Sequence, residues 1–212
     1  MQKVLTIAHQ KGGVGKSTIA LNLAVELSKK YPLQVIDLDY QKSLTIFNET
    51  RKELGLEPLS IKSASTQKEL MEIIDKSDGL VLIDSGGFDS DLNRIAILGA
   101  DMVITPLSNN LIEIYGLEAF KKILEQIREV QPVKAHILLN NIHPNTQKGI
   151  LEIDEYVYNN SEFFNLLPTV LRRRSDFARS FEEGRSVVEM DPESKAAKEL
   201  NVLLNNIESI LF

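Results

Sequence analysis

Three glycines and a lysine lie close enough along the chain to wrap one anion. In the run Lys11-Gly12-Gly13-Val14-Gly15-Lys16-Ser17-Thr18 the glycines at 12, 13 and 15 let backbone N–H groups face a ligand without interference from a Cβ. Helical spacing follows at once in Ile19, Leu23 and Leu27, so the turn opens onto a helix N-terminus and its partial positive charge. Such a turn suits phosphate. Lys16 would neutralise the β- and γ-phosphates, the Ser17 hydroxyl would take a place on Mg²⁺, and Thr18 would lie near the α-phosphate. A strand-like run from Val4 to Ala8 precedes the turn, which is the context a phosphate-binding loop requires. The plain alternative is a glycine-rich turn with no ligand.

Carboxylates stand at the ends of two other apolar runs. Gly79-Leu80-Val81-Leu82-Ile83-Asp84 is a strand pattern closed by an acid, placing Asp84 to hold Mg²⁺ through water, unless it only caps a helix. Ser85-Gly86-Gly87 then supplies a flexible turn where a γ-phosphate would lie. In Val35-Ile36-Asp37-Leu38-Asp39, the period of two puts both aspartates on one side of an extended chain. They could equally be exposed turn carboxylates. Asn140 and Asn141 end a further run, His136 to Leu139, and fit either a purine contact or a strand-end turn.

These positions need a scaffold that gathers strand ends. Short apolar runs at Val4–Ala8, Leu33–Leu38, Leu80–Ile83, Met102–Thr105 and His136–Leu139 alternate with helical spacings such as Leu117, Phe120, Leu124, Ile127. This predicts a doubly wound α/β fold, with a mainly parallel sheet covered by helices on both faces. Right-handed crossovers then bring the strand C-termini to one edge, where every candidate above falls. Between Asn48 and Ser65, Gly55 and Pro58 suggest a helix end, a turn and an edge strand. Residues 194–212 predict a last helix with Leu200, Leu203, Leu204, Ile207 and Leu211 on one face.

At 212 residues with 43% hydrophobic composition, one domain with a sizeable core is expected over residues 1–212. The absence of cysteine excludes disulfides, thiolate zinc sites and cysteine-ligated iron–sulfur clusters, and it favours a cytoplasmic protein. The N-terminal stretch lacks the long apolar region of a signal peptide, so residue 1 is expected to be the true start. His9, His136 and His143 lack metal-ligand spacing.

The common phosphate-loop pattern G-x-x-x-x-G-K-[ST] would need glycine where Gln10 stands. What stands instead, Lys11-Gly12-Gly13-Val14-Gly15-Lys16-Ser17-Thr18, resembles the deviant Walker A ATPase family of ParA, MinD, Soj and nitrogenase iron protein, within the P-loop NTPases. The resemblance implies ATP and Mg²⁺ as ligands, with residues 11–18 contacting the nucleotide and Lys11 reaching the partner's phosphates across a sandwich homodimer. The segment from Asp37 resembles the family's D-x-D-P-Q motif, with Tyr40 at the proline position. It implies that Asp39 orients the attacking water and that Asp37 lies near the magnesium shell. Asp84 matches the Walker B acid, and Asn140 the asparagine that contacts adenine. Ala100-Asp101-Met102-Val103-Ile104-Thr105-Pro106 and the segment 169–200 also resemble the family, so the likeness runs over nearly the whole chain.

With 24 Lys and Arg against 30 Asp and Glu, net charge −6, any contact with DNA has to be local. Arg172, Arg173, Arg174, Arg179 and Arg185 put five cations into fourteen residues. They could bind phosphate backbone without reading sequence; alternatively Arg179 could pair with Glu182 or Glu183 along a helix and some of the others could serve a dimer interface. The resemblance is closest to short plasmid-type ParA proteins. It implies an ATP-dependent dimer on nonspecific nucleoid DNA, with hydrolysis stimulated by a ParB-like or ribbon-helix-helix centromere-binding protein. A MinD-like membrane-associated ATPase is the alternative, and the segment Asn201–Phe212, with no Lys or Arg and with Glu208, argues against an anionic lipid surface. Electron transfer as in nitrogenase iron protein is excluded by the missing cysteines, whereas a related ATP-using ligase or a regulator of flagella or cellulose synthesis would share the same loop chemistry.

Overall fold

Strands rich in Val, Ile and Leu with no polar face must be covered on both sides. In the computed structural model, which describes residues 2–108, 111–143 and 148–212, this is how the chain is layered. Its elements alternate: β1 (Lys3–Ile7), α1 (Lys16–Ser28), β2 (Leu33–Asp37), α2 (Ser43–Glu53), β3 (Ile61–Lys62), α3 (Gln67–Asp75), β4 (Leu80–Asp84), α4 (Asp91–Leu98), β5 (Met102–Leu107), α5 (Leu111–Ile127), β6 (Ala135–Ile142), α6 (Lys148–Asn159) and β7 (Phe164–Arg172), then α7 (Ser175–Glu182), α8 (Val187–Met190) and α9 (Lys195–Leu211). The seven strands pair in parallel in the order β3-β2-β4-β1-β5-β6-β7, the doubly wound α/β arrangement expected from the sequence.

Alternation along each strand feeds two cores. Leu5, Ile7, Val35, Leu82 and Ile104 pack with α1 and with the α9 face Leu200, Leu203, Leu204, Ile207, Leu211. On the other side Val4, Ile36, Val81 and Ile83 meet Leu70 of α3 and Ala96 of α4, while Val103, Ala135 and Ile137 meet Leu117, Phe120 and Leu124 of α5. Burying both faces fixes register, because a one-residue slip would exchange the two sets. That register sets Ile7 beside Asp84, and Asp84 beside Asp37, so two acids and the phosphate loop share one sheet edge.

Two prolines in strands have local reasons. Pro106 lies in the interior strand β5, but pairing with β1 stops at Ile104, so its missing N–H deprives no ladder on that side. Pro168 lies in β7, an edge strand, where the register with β6 shifts between Ile137 and Leu139. The sequence reading did not place β7. No helix among the described residues is long and apolar enough to cross a membrane.

Candidate nucleotide site

The loop after β1 is shaped by its own residues and by one distant amide. His9 Nδ1 accepts the Lys11 N–H at 2.9 Å, and the imidazole stacks on Phe120 at 6.1 Å. Gly15 has φ 95°, and a Cβ there would stand 2.4 Å from Asn140 Nδ2, so both conformation and space demand glycine. That Asn140 amide donates to the Val14 carbonyl at 2.8 Å. Asn140 therefore touches the loop itself, and its donor end is taken by backbone. Lys16 is only 4% exposed and donates from Nζ to the Lys11 carbonyl at 3.3 Å. Burial lowers its pKa, while the charges of Asp84 and Asp39 work against that shift.

Asp84 is fully buried at the end of β4, and neither of its carboxylate oxygens has a partner at hydrogen-bond geometry. Burial pushes its pKa up to about 7; the Ser17 hydroxyl and Lys16 pull it down, and Asp37 and Asp39 add to the rise. A buried, unpaired carboxylate beside a phosphate loop is a costly arrangement without a cation. Mg²⁺ prefers oxygen ligands, and Asp84 with the Ser17 hydroxyl supplies them, so the residues present fit the ion.

Asp37, expected near the magnesium shell, is also bonded within the chain. Its Oδ2 accepts from the Thr45 backbone N–H at 3.2 Å and from the Thr45 hydroxyl at 3.1 Å, and its Oδ1 accepts from the Asp39 N–H at 3.1 Å. Burial raises its pKa and these bonds oppose the rise. Its oxygens are engaged in holding the start of α2, a task the strand pattern alone did not reveal. Asp39 lies further out, accepts the Gln41 N–H at 2.9 Å, and lines an open cleft of about 510 Å³ with Gly12, Lys16, Ser17, Thr18 and Gly87. Tyr40, at 89% exposure, and Phe88, at 57%, also line it. Lys11 is exposed.

A second cavity of about 520 Å³ adjoins the loop, bounded by Gly13, Val14, Gly15, Thr18, Asn140 and the segment Arg172–Arg174. Arg172–Arg174 thus form a wall beside the phosphate loop, while Arg179 and Arg185 do not line this cavity. Arg174 is paired with Glu199, Nη2 to Oε1 at 2.5 Å, and the Arg172 N–H donates to the same carboxylate at 3.0 Å. Arg179 pairs with Glu183 at 2.8 Å, the helix pairing weighed as an alternative. Arg173 and Arg185 are exposed. Sequence reasoning also missed Thr45 and Asn93, both of which act on loops through contacts that their own neighbourhood does not signal.

Comparison with known proteins agrees with this geometry. The profile of the CobQ/CobB/MinD/ParA nucleotide binding domain matches residues 5–187. Protein ParA of Rhizobium radiobacter is 30% identical over 143 residues, 64% of this chain and 63% of that protein's length. The maintenance of carboxysome distribution protein A of Halothiobacillus neapolitanus is 23% identical over 214 residues, covering 96% of this chain and 95% of the relative. Among solved structures, a candidate plasmid partition protein of Borrelia burgdorferi B31 bound to AMPPNP superposes with TM-score 0.74 at 19% identity, covering 99% of both chains. The chain spans less than two thirds of the length of the first two curated relatives it matches, 63% and 46%. With the profile spanning most of its length and the phosphate loop in place, this chain belongs to the CobQ/CobB/MinD/ParA nucleotide binding domain family.

Proposed function

We propose that the chain is a partition ATPase in which Mg²⁺ and ATP close two copies into a sandwich dimer, the dimer holds nonspecific DNA, and hydrolysis stimulated by a centromere-binding protein releases it. The observation that carries this reading is Asp84, buried at the end of β4 with no partner at hydrogen-bond geometry and within the electrostatic reach of Lys16 and the Ser17 hydroxyl. The glycines and the start of α1 would cradle the phosphates, and Lys16 would neutralise them. Mg²⁺, held by Ser17 and Asp84, would supply charge compensation for the phosphoryl group. Asp39, at the cleft wall, would orient the attacking water, and Lys11 would reach the partner copy's phosphates. Asp37 would act on the metal region only through the start of α2.

Asp39→Ala tests the division of labour. It should bind ATP with affinity near that of the parent chain and remain a dimer in ATP on sizing chromatography, with hydrolysis reduced at least about a hundredfold. A monomer in ATP, or unimpaired hydrolysis, would remove Asp39 from this role. Retention of DNA by the trapped dimer, beside pelleting with anionic liposomes, separates the partition reading from membrane positioning.

A further inference from the structure

The turn after β4 does not hang free over the cleft. Ser90 caps α4, its hydroxyl accepting the Asn93 N–H at 3.2 Å. A side chain at the third helical position commonly reaches back to the N-cap N–H. Asn93 reaches past it. Its Oδ1 accepts the Gly86 N–H at 3.2 Å, and its Nδ2 donates to the Phe88 carbonyl at 2.6 Å. The side chain is buried, so both ends of one amide are used up in fixing three residues of loop. Arg94, the next residue, grips the same turn from outside with Nε and Nη2 on the Asp89 carboxylate at 2.7 and 2.6 Å.

The turn held in this way presses on the phosphate loop. A Cβ on Gly87 would stand 3.1 Å from Gly12 Cα and 3.2 Å from Gly12 N, so the two backbones are in contact. A Cβ on Gly86 would lie 3.6 Å from the Leu38 carbonyl, at the end of β2 where Asp39 follows. Gly87 and Phe88 form the wall of the cleft that faces Lys16 and Ser17. The third phosphate is all that distinguishes ATP from ADP, and in the nucleotide reading of this cleft it would extend from the loop toward that wall.

We infer that Asn93 is a positioning residue that gives the site its preference for ATP over ADP, by holding the Gly86–Phe88 turn against Gly12. The inference rests on the nucleotide reading of the cleft. An amide side chain suits the task because it offers a donor and an acceptor at one fixed spacing, matching one N–H and one carbonyl of the turn. Loss of either arm leaves a buried backbone group unpaired and lets the turn leave Gly12.

The test is calorimetric titration of the full chain with Mg·AMPPNP and with Mg·ADP. Asn93→Ala, and the isosteric Asn93→Asp, which keeps the acceptor and loses the donor, should weaken AMPPNP about tenfold and leave ADP within about twofold. A merely structural role would weaken both nucleotides together, and that result overturns the inference, as would unchanged affinity for both. Should circular dichroism show the Asn93 variants unfolded, Arg94→Ala loosens the same turn from the surface. It should weaken AMPPNP about threefold with ADP unchanged, and equal or absent effects count against the inference. A parent chain that binds neither nucleotide would instead overturn the reading of the cleft, and the inference with it.

Discussion

Burial without a hydrogen bond decides the behaviour of Asp84. Its carboxyl, raised from 3.8 to about 7, binds its proton more tightly in the folded chain than in the unfolded one. Between those values ionisation therefore works against the fold, and stability falls as pH rises through the window. Asp37 is shifted in the same direction by burial, which adds to the trend. Nucleotide-free protein should accordingly melt at lower temperature as pH is taken from about 5 to about 8, and Asp84→Asn, which cannot ionise, should flatten that slope. Calorimetric melting of both proteins across this range checks it, and parallel slopes would refute it. Asp84→Asn should at the same time gain stability near pH 8 and lose Mg²⁺-dependent nucleotide binding, the trade expected where a fold carries an uncompensated charge for function. The acid was legible in the sequence because a closing carboxylate on an apolar run is a local signal. Asp37 was legible as a residue at the sheet edge, but its hold on Thr45 was not, since strand alternation says which side an acid faces and nothing about the groups that meet it there.

At the scale of elements, the parts legible in the sequence were those with local periodicity. Five strands of the sheet, α1, α5 and α9 stood out, whereas the stretch from Asn48 to Ser65 offered only a helix end, a turn and an edge strand. What was hidden is what joins distant segments. β7 carries Pro168 at a register shift, which breaks the pattern of a strand, and Asn93 works on a turn several residues back. Arg51 is another such link. Its side chain, 4% exposed on α2, donates from Nη1 to Glu189 Oε2 at 2.7 Å and to the Gly184 carbonyl at 2.8 Å, and from Nε to the Glu57 carbonyl at 3.0 Å. The bond to Glu189, which begins the short α8 through its capping box with Ser186, ties the helix after Asp39 to the segment leading into α9. Removing one member of a buried pair leaves the other uncompensated. Arg51→Ala should therefore cost about 3 kcal/mol in urea unfolding. Arg51→Met with Glu189→Gln, which keeps the capping box and removes the charge, should recover part of that loss, and a single variant within about 0.5 kcal/mol of the parent would show that the pair contributes little.

For the whole molecule the open question is how a chain of net charge −6 would hold DNA. The structure narrows the cations available. Arg174 and Arg179 already face carboxylates of their own chain, at Glu199 and Glu183, so drawing them to phosphate would first require breaking those pairs. Arg173, Arg179 and Arg185 are the exposed members of the cluster; of these Arg179 is the one held to Glu183, and Arg173 also borders the cavity beside Gly13 and Asn140. In the proposed function a weak patch on each copy would become useful only when two copies act together, so that retention would depend on ATP through dimerisation. Each phosphate neutralised steepens the dependence of log affinity on log salt by about 0.9. Replacing Arg173 and Arg185 by glutamate should thus weaken ATP-dependent retention and reduce that slope by roughly 2 to 4 for a dimer, according to whether one or both arginines make contact. Because Arg173 borders the nucleotide region, Mg·ADP affinity has to be measured on the same protein. If it falls with retention, Arg185→Glu alone decides the matter, since Arg185 does not line that cavity. A reduced slope with Arg185→Glu and intact dimerisation supports contact with DNA through this segment. An unchanged slope in both variants would move the DNA-binding surface away from the cluster altogether.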